Sequence, residues 1–207
     1  QQSFKTKAAY SKHISSQKHQ KNISSPPPQQ PERILPKPSK EQEQQQHPFV
    51  SCVLDETAHI RYFFHISDIH IPCDKRHDEY RQIFRVFLSH VDSHPHRNDA
   101  AIVITGDLLD HKNRITPEEV VLAREFILDL AHRCPVFIIA GNHDKNLSFP
   151  LKEDNISAIV SNGRFPHKRV HYLKKSGWYR FGNVTFGVSS VLDGRMVRIG
   201  DVPENEY

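Results

Sequence analysis

The chain has 207 residues, with 28 Lys+Arg against 24 Asp+Glu and a formal charge of +4. No run approaches the ~18 apolar residues of a membrane span, which excludes an integral membrane protein. The positive balance sits in the front: residues 1–48 hold 8 Lys/Arg and 3 Asp/Glu, or +5, and residues 49–207 hold the other 20 and 21, or −1, so the remainder offers no net-charge argument for nucleic acid.

In chain order, residues 1–23 form a short basic unit. Residues 24–48 carry a Pro/Gln-rich stretch with little to bury, read as a disordered linker. From residue 49 to 207 the pattern is that of a folded domain. Ile60–Ile66 is an apolar, β-branched and aromatic run, predicted as a buried strand. Tyr80, Ile83, Phe84, Phe87, Leu88 and Val91 repeat at helical spacing, which predicts a helix over 77–91. Ala101–Thr105 is a second strand. Thr116, Pro117 and Glu119 then supply an N-cap, a first-turn proline and a capping-box acid, opening a helix that runs to about Ala131. Pro135–Ala140 is a third strand. Strand, helix, strand, helix, strand at these lengths implies parallel pairing with helical crossovers. Val170–Leu173, Gly177–Phe181 and Val184–Ser190 read as shorter strands, with a hairpin turn at Gly182-Asn183. They are expected to continue the sheet in antiparallel or mixed fashion.

Each of the three parallel strands ends in a polar cluster. The first ends in Asp68-Ile-His70, the second in Gly106-Asp107-Leu-Leu-Asp110, the third in Gly141-Asn142-His143-Asp144. In an α/β sheet the carboxyl ends of parallel strands face one crevice, so these side chains should converge there. Carboxylate, imidazole and amide together suit a divalent cation of the manganese, iron or zinc kind rather than an all-oxygen calcium site. Gly106 and Gly141 allow sharp turns just before the candidate ligands.

D-x-H, G-D-x-x-D and G-N-H-D, each after a strand and in this order, resemble the calcineurin-like metallophosphoesterase superfamily over roughly residues 58–200. The resemblance implies an α/β fold whose parallel βαβαβ core continues into mixed strands. It implies two divalent metal ions and phosphoester hydrolysis by a hydroxide that the two metals activate. Asp68 and His70 would hold the first metal, Asp107 would bridge both, and Asn142 would hold the second. His143 would contact the phosphate and assist the leaving group. Asp110 and Asp144 read as groups that orient a histidine or a loop.

Phe64–His70, Arg76–Tyr80, Cys134-Pro135 and Val188–Ser190 bring the chain nearest to the SbcD-type double-strand-break repair nucleases. That likeness implies manganese, DNA as substrate, an SMC-like ABC ATPase subunit as partner, and a homodimer as a further assembly. Small-substrate or cyclic-nucleotide phosphodiesterases share the three core motifs. A non-catalytic member that keeps the fold without a complete site is the alternative from another class.

The superfamily also uses downstream histidines, ending in a G-H-x-H pair, and no such pair occurs in residues 145–207. The domain is therefore expected to be truncated at its C-terminal end, and this piece alone to be inactive. His167 and His171 read as structural or exposed. His90, His94 and His96 read as a solvated helix end rather than a metal site.

In the front unit, Phe4, Tyr10, His13 and His19 resemble the second half of a C2H2 zinc finger whose two cysteines are absent, which implies zinc only in a longer chain. The chain does not begin with Met, and no secretory leader opens it. Three widely spaced cysteines, Cys52, Cys73 and Cys134, make neither a disulfide framework nor a thiolate metal site, so an intracellular location, nuclear or cytoplasmic, is expected.

Overall fold

The computed structural model describes residues 49–73, 75–149, 151–160 and 168–201. The zinc-finger resemblance, the linker and His167 lie outside the described residues.

Among the described residues seven strands form two sheets. The first sheet holds β2 (Tyr62–Ile66), β3 (Ala100–Thr105), β4 (Val136–Ile139) and β5 (Val170–Tyr172), in that order and all parallel. Three helices connect them: α1 (His77–Ser93), α2 (Pro117–Arg133) and the short α3 (Asn155–Val160). The second sheet holds β1 (Val50–Asp55), β6 (Gly177–Phe181) and β7 (Val184–Val188). β1 runs parallel to β6, and β6 and β7 form the antiparallel hairpin that Gly182-Asn183 predicts.

The late strands are mixed, as expected, but they are divided between two sheets. β5 extends the first sheet in parallel, whereas β6 and β7 leave it and pair with β1. β1 has no counterpart in the sequence reading, although Val50, Cys52 and Leu54 alternate with Ser51, Val53 and Asp55. The first three pack inward against the second core cluster.

Burial on both faces explains the unbroken apolar runs of β3 and β4. Ile102, Ile104, Val136 and Ile138 face the helices. Ala101 and Phe137 face the second sheet, where they meet Ile60, Leu173, Tyr179, Phe181 and Val188. The first sheet is thus the middle layer, and helices and second sheet cover its two sides.

The helix ends follow local chemistry. At α2 the Thr116 side chain accepts from the Glu119 amide at 3.3 Å, and the Glu119 carboxylate accepts from the Thr116 amide at 2.7 Å, which completes the capping box. α1 begins at Arg76 in the left-handed region without a side-chain cap, and Asp78 and Glu79 in its first turn answer the helix dipole. α1 and α2 stack Phe84 on Phe126 at 3.8 Å between ring centroids, and Arg133 chelates Asp92 at 2.8–3.0 Å where the two helices end.

α3 starts at Asp154, whose buried carboxylate accepts from the Ser157 amide and the Tyr172 hydroxyl, each at 2.7 Å, and lies 3.0 Å from Lys174 Nζ. Burial favours its neutral form, but these bonds outweigh it and hold the carboxyl below the ordinary range. Among the described residues no helix is long and apolar enough to cross a membrane.

Of the histidines near the end of α1, His90 and His96 are exposed, as expected, while His94 is half-buried. His96 stacks on Tyr62 at 4.6 Å and His94 meets Phe64 edge-on at 5.2 Å, because β2 brings both rings to the helix end. His171 stacks on Phe137 at 5.1 Å.

Candidate metal centre

Three loops leave the carboxyl ends of β2, β3 and β4 and carry the three motifs. The first two are zipped together by backbone hydrogen bonds that carry the β2–β3 pairing beyond the strands. Asp68 N–H donates to Gly106 O (3.2 Å), His70 N–H to Asp107 O (3.0 Å), Ile71 N–H to Leu108 O (2.9 Å) and Asp110 N–H back to Ile71 O (3.1 Å). To make these turns Asp68, His70 and Asp107 take φ of 55°, 49° and 52°. Non-glycine residues there cost about 1–3 kcal/mol each, and they persist where the surroundings fix them. The bonds above supply part of that fixing. Tyr80 supplies more, since its hydroxyl lies 2.8 Å from His70 O and 3.2 Å from Ile69 O.

The third loop joins through glycine. Gly106 has φ of 96°, and a Cβ there would lie 2.6 Å from the Gly141 backbone. A Cβ on Gly141 would lie 2.1 Å from Asp107 Oδ1. Two glycines thus let the second and third loops touch.

Beneath the contact lies Asp144, fully buried. Its carboxylate accepts from the amides of Leu108 (3.1 Å), Leu109 (3.2 Å) and Gly141 (2.9 Å), so one side chain ties both loops together. Burial pushes its carboxyl above the usual range, against the pull of these bonds.

Above Asp144 the polar side chains converge. His70 Nε2 lies 3.8 Å from Asp68 Oδ1 and 3.8 Å from Asp107 Oδ2. These separations are too long for hydrogen bonds. Donors held at ~2.1 Å by one cation stand roughly 3–4 Å apart, so the three residues fit a shared divalent metal. The other oxygen of Asp107 is taken: the His143 amide donates to Oδ1 at 2.8 Å. Its partner oxygen is left facing the donors.

The second imidazole nitrogen of His70 is buried and makes no hydrogen bond, but Asp110 Oδ1 is 3.4 Å away. The other Asp110 oxygen is 3.4 Å from His111 Nδ1, and that nitrogen is 3.3 Å from Cys73 Sγ. Asp110 thus sits between two imidazoles. His143 Nδ1 lies 2.7 Å from Asp110 O, and because a carbonyl only accepts, Nδ1 carries a proton and Nε2 is the nitrogen left for a ligand. The His143 and His70 rings meet edge-to-face at 4.7 Å. His70, Asp110 and His143 also place one donor each within 4.8 Å of one another. Asn142 is exposed on the same turn as His143.

The structure therefore brings Asp68, His70, Asp107, Asp110 and His143 together, with Asn142 beside them and Asp144 below. Sequence reasoning missed Tyr80, His111 and Cys73. Tyr80 falls on the apolar stripe of α1, and nothing in its spacing separates the hydroxyl from the ring. His111 was within reach of the reading, since it directly follows Asp110.

The family model for calcineurin-like phosphoesterases matches residues 62–203. The chain belongs to this family. It is also similar to a protein of Acanthamoeba polyphaga mimivirus described only as uncharacterized, with 38% identity over 154 residues, or 74% of this chain. The chain spans 11% of that viral protein's length.

Proposed function

We propose that this domain hydrolyses DNA phosphodiesters as part of a nuclease, with manganese as its metal. The observation that carries the hydrolytic part is the placement of His70 Nε2 between Asp68 and Asp107, with His143 pinned to the other oxygen of Asp107. The likeness of Phe64–His70 and Arg76–Tyr80 to SbcD-type nucleases supports the choice of DNA. A site at loop tips, with 68% of the Asp68 side chain exposed, admits a chain as well as a small ester.

Asp68, His70 and Asp107 would hold one cation, and Asp107 and Asn142 would contribute to a second. Bound there, divalent cations supply Lewis acidity towards phosphoryl oxygens and lower the pKa of water. The protein's own part is positional. Asp144 and the two glycines fix the distance between the second and third loops. Asp110 holds the His70 ring in register, and its carbonyl fixes the tautomer of His143. Water oxygen bonds to phosphorus, the bond to the leaving oxygen breaks with its electron pair, His143 Nε2, when protonated, delivers the proton that this oxygen needs, and the proton shed by the water passes to solvent, from which His143 is reprotonated. Asn142 ligates without adding a negative charge that would repel the phosphate. The proposed partners are DNA and an SMC-like ABC ATPase subunit, with a homodimer as the assembly.

The test compares linear duplex DNA, a cyclic nucleotide and a phosphopeptide as substrates of the full-length protein with millimolar manganese, alongside Asp107→Ala. DNA should give the highest kcat/KM, and Asp107→Ala should abolish it. A higher kcat/KM on the cyclic nucleotide would assign the domain to small-substrate phosphodiesterases.

A further inference from the structure

Immediately beyond the third site loop, three large apolar side chains stand in water within five residues. Leu147 is 51% exposed, Phe149 53% and Leu151 100%. Local hydrogen bonds brace the described residues around them. Ser148 N–H donates to Asn146 Oδ1 (3.0 Å), Phe149 N–H to Asn146 O (3.1 Å), Lys152 N–H to Phe149 O (3.0 Å), and Lys145 Nζ to Lys152 O (2.7 Å). The Asn146 amide also bonds the Asn113 side chain, which ties the segment to the loop after Asp110. Apolar groups presented together on a braced turn mark a binding surface rather than a loose one.

The charges around them are basic. Lys152 Nζ lies 4.9 Å from the Phe149 ring centroid, and Lys112 and Arg114 flank Asn113 on the neighbouring loop. The acid that follows, Glu153, is answered by Lys174 at 2.7 Å. An aromatic ring with an ammonium on it and further cations alongside matches a nucleobase and its phosphates, because every base has a face to stack and every nucleotide a negative charge.

We propose that Phe149 and Lys152, braced by Lys145 and Asn146, are a platform for single-stranded nucleic acid, on which Phe149 stacks an unpaired base and Lys152 holds the adjoining phosphate. This rests on the nuclease reading above and adds to it which form of the substrate the domain grips. Paired bases hide their faces, so the platform favours single strands and frayed ends over closed duplex. Lys145 follows Asp144 directly in the chain, so the platform continues the loop that carries Asn142 and His143.

The test is fluorescence anisotropy of the chain with a labelled single strand of about fifteen nucleotides and with a hairpin duplex, in EDTA so that nothing is cleaved. Phe149→Ala should weaken single-strand binding about 5- to 100-fold, the range expected for one lost base stack, and Phe149→Trp should restore it. Lys152→Ala should reduce the slope of log K against log salt by about 0.7, the value of one lost phosphate contact on a single strand. Duplex binding should change little in Phe149→Ala. If the chain ignores single strands, or Phe149→Ala binds them as the parent does, the platform is refuted and the apolar turn belongs to a protein contact. Because binding is read without turnover, single-strand binding through Phe149 together with a full-length protein that cleaves no DNA refutes the nuclease reading and leaves the platform standing.

Discussion

The amide of His143 donates to Asp107 Oδ1 at 2.8 Å, so the residue proposed to serve the leaving group also aims the carboxylate proposed to bridge the metals. The bond uses the backbone of His143, not its ring. Replacing the ring therefore leaves the aim of Asp107 intact, and this separates the two roles experimentally. Asp107→Ala should lose both bound manganese and activity. His143→Ala should retain manganese and lose about 10²–10⁴-fold in kcat. Metal analysis of the two purified variants decides the matter: if His143→Ala empties the site as fully as Asp107→Ala, His143 is a ligand.

Gly141→Ala offers a subtler lesion. The added Cβ would stand 2.1 Å from Asp107 Oδ1, so the carboxylate or the loop must shift. The variant should stay folded by circular dichroism but bind manganese at least ~10-fold more weakly in calorimetric titration. Parent-like affinity would show that the contact between the two loops is dispensable.

Asp144→Ala should cost more in stability than in any one chemical role. Three amides, those of Leu108, Leu109 and Gly141, would lose their acceptor in a fully buried place. Each orphaned donor costs roughly 1–3 kcal/mol, partly relieved by water entering the gap. A loss of about 3–5 kcal/mol in urea unfolding is expected, and a loss below ~1 kcal/mol would contradict the anchoring role.

Burial of the His171 ring against Phe137 and Phe181 holds its imidazole below the ordinary 6.5, although Asp55 pulls the other way. The folded value lies below the unfolded one, so the unfolded chain takes up the proton first. Its contribution is full above about 6.5 and is lost as pH falls from there through the folded pKa. His171→Phe should flatten this part of the profile. Urea midpoints of parent and variant at pH 7.5 and 5.0 measure it, and equal drops in both would exclude His171 as the source.

The parallel core and the site motifs were legible because each rests on local chemistry. Thr116 to Glu119 form a capping box whatever surrounds them, and the second and third motifs follow apolar runs that only a doubly covered sheet can bury, whereas β2 before the first motif is an edge strand with Tyr62, Phe63 and His65 exposed where a buried strand was expected. The second sheet was less legible. β1 pairs with β6, more than 120 residues away by the Val50–Gly177 register, and no local signal encodes that partner. The positive φ of Asp68, His70 and Asp107 was hidden as well. A side chain is chosen there for its donor atoms, and the backbone conformation is imposed by the neighbouring loop. Tyr80 shows the same limit, since helical spacing reports which face is apolar but not what a hydroxyl reaches at the end of it.

The zipper of amides between the first two loops also bears on how the domain comes apart. Its hydrogen bonds continue the register of β2 and β3, so Asp68, His70 and Ile71 share one cooperative unit with the strands that precede them. Their amide protons should exchange with deuterium as slowly as those of Ile102 and Ile104, by whole-domain opening rather than by local fraying. Heat inactivation of the intact centre would then follow the melting curve of the sheet, with no interval in which the fold survives and the donor geometry is gone.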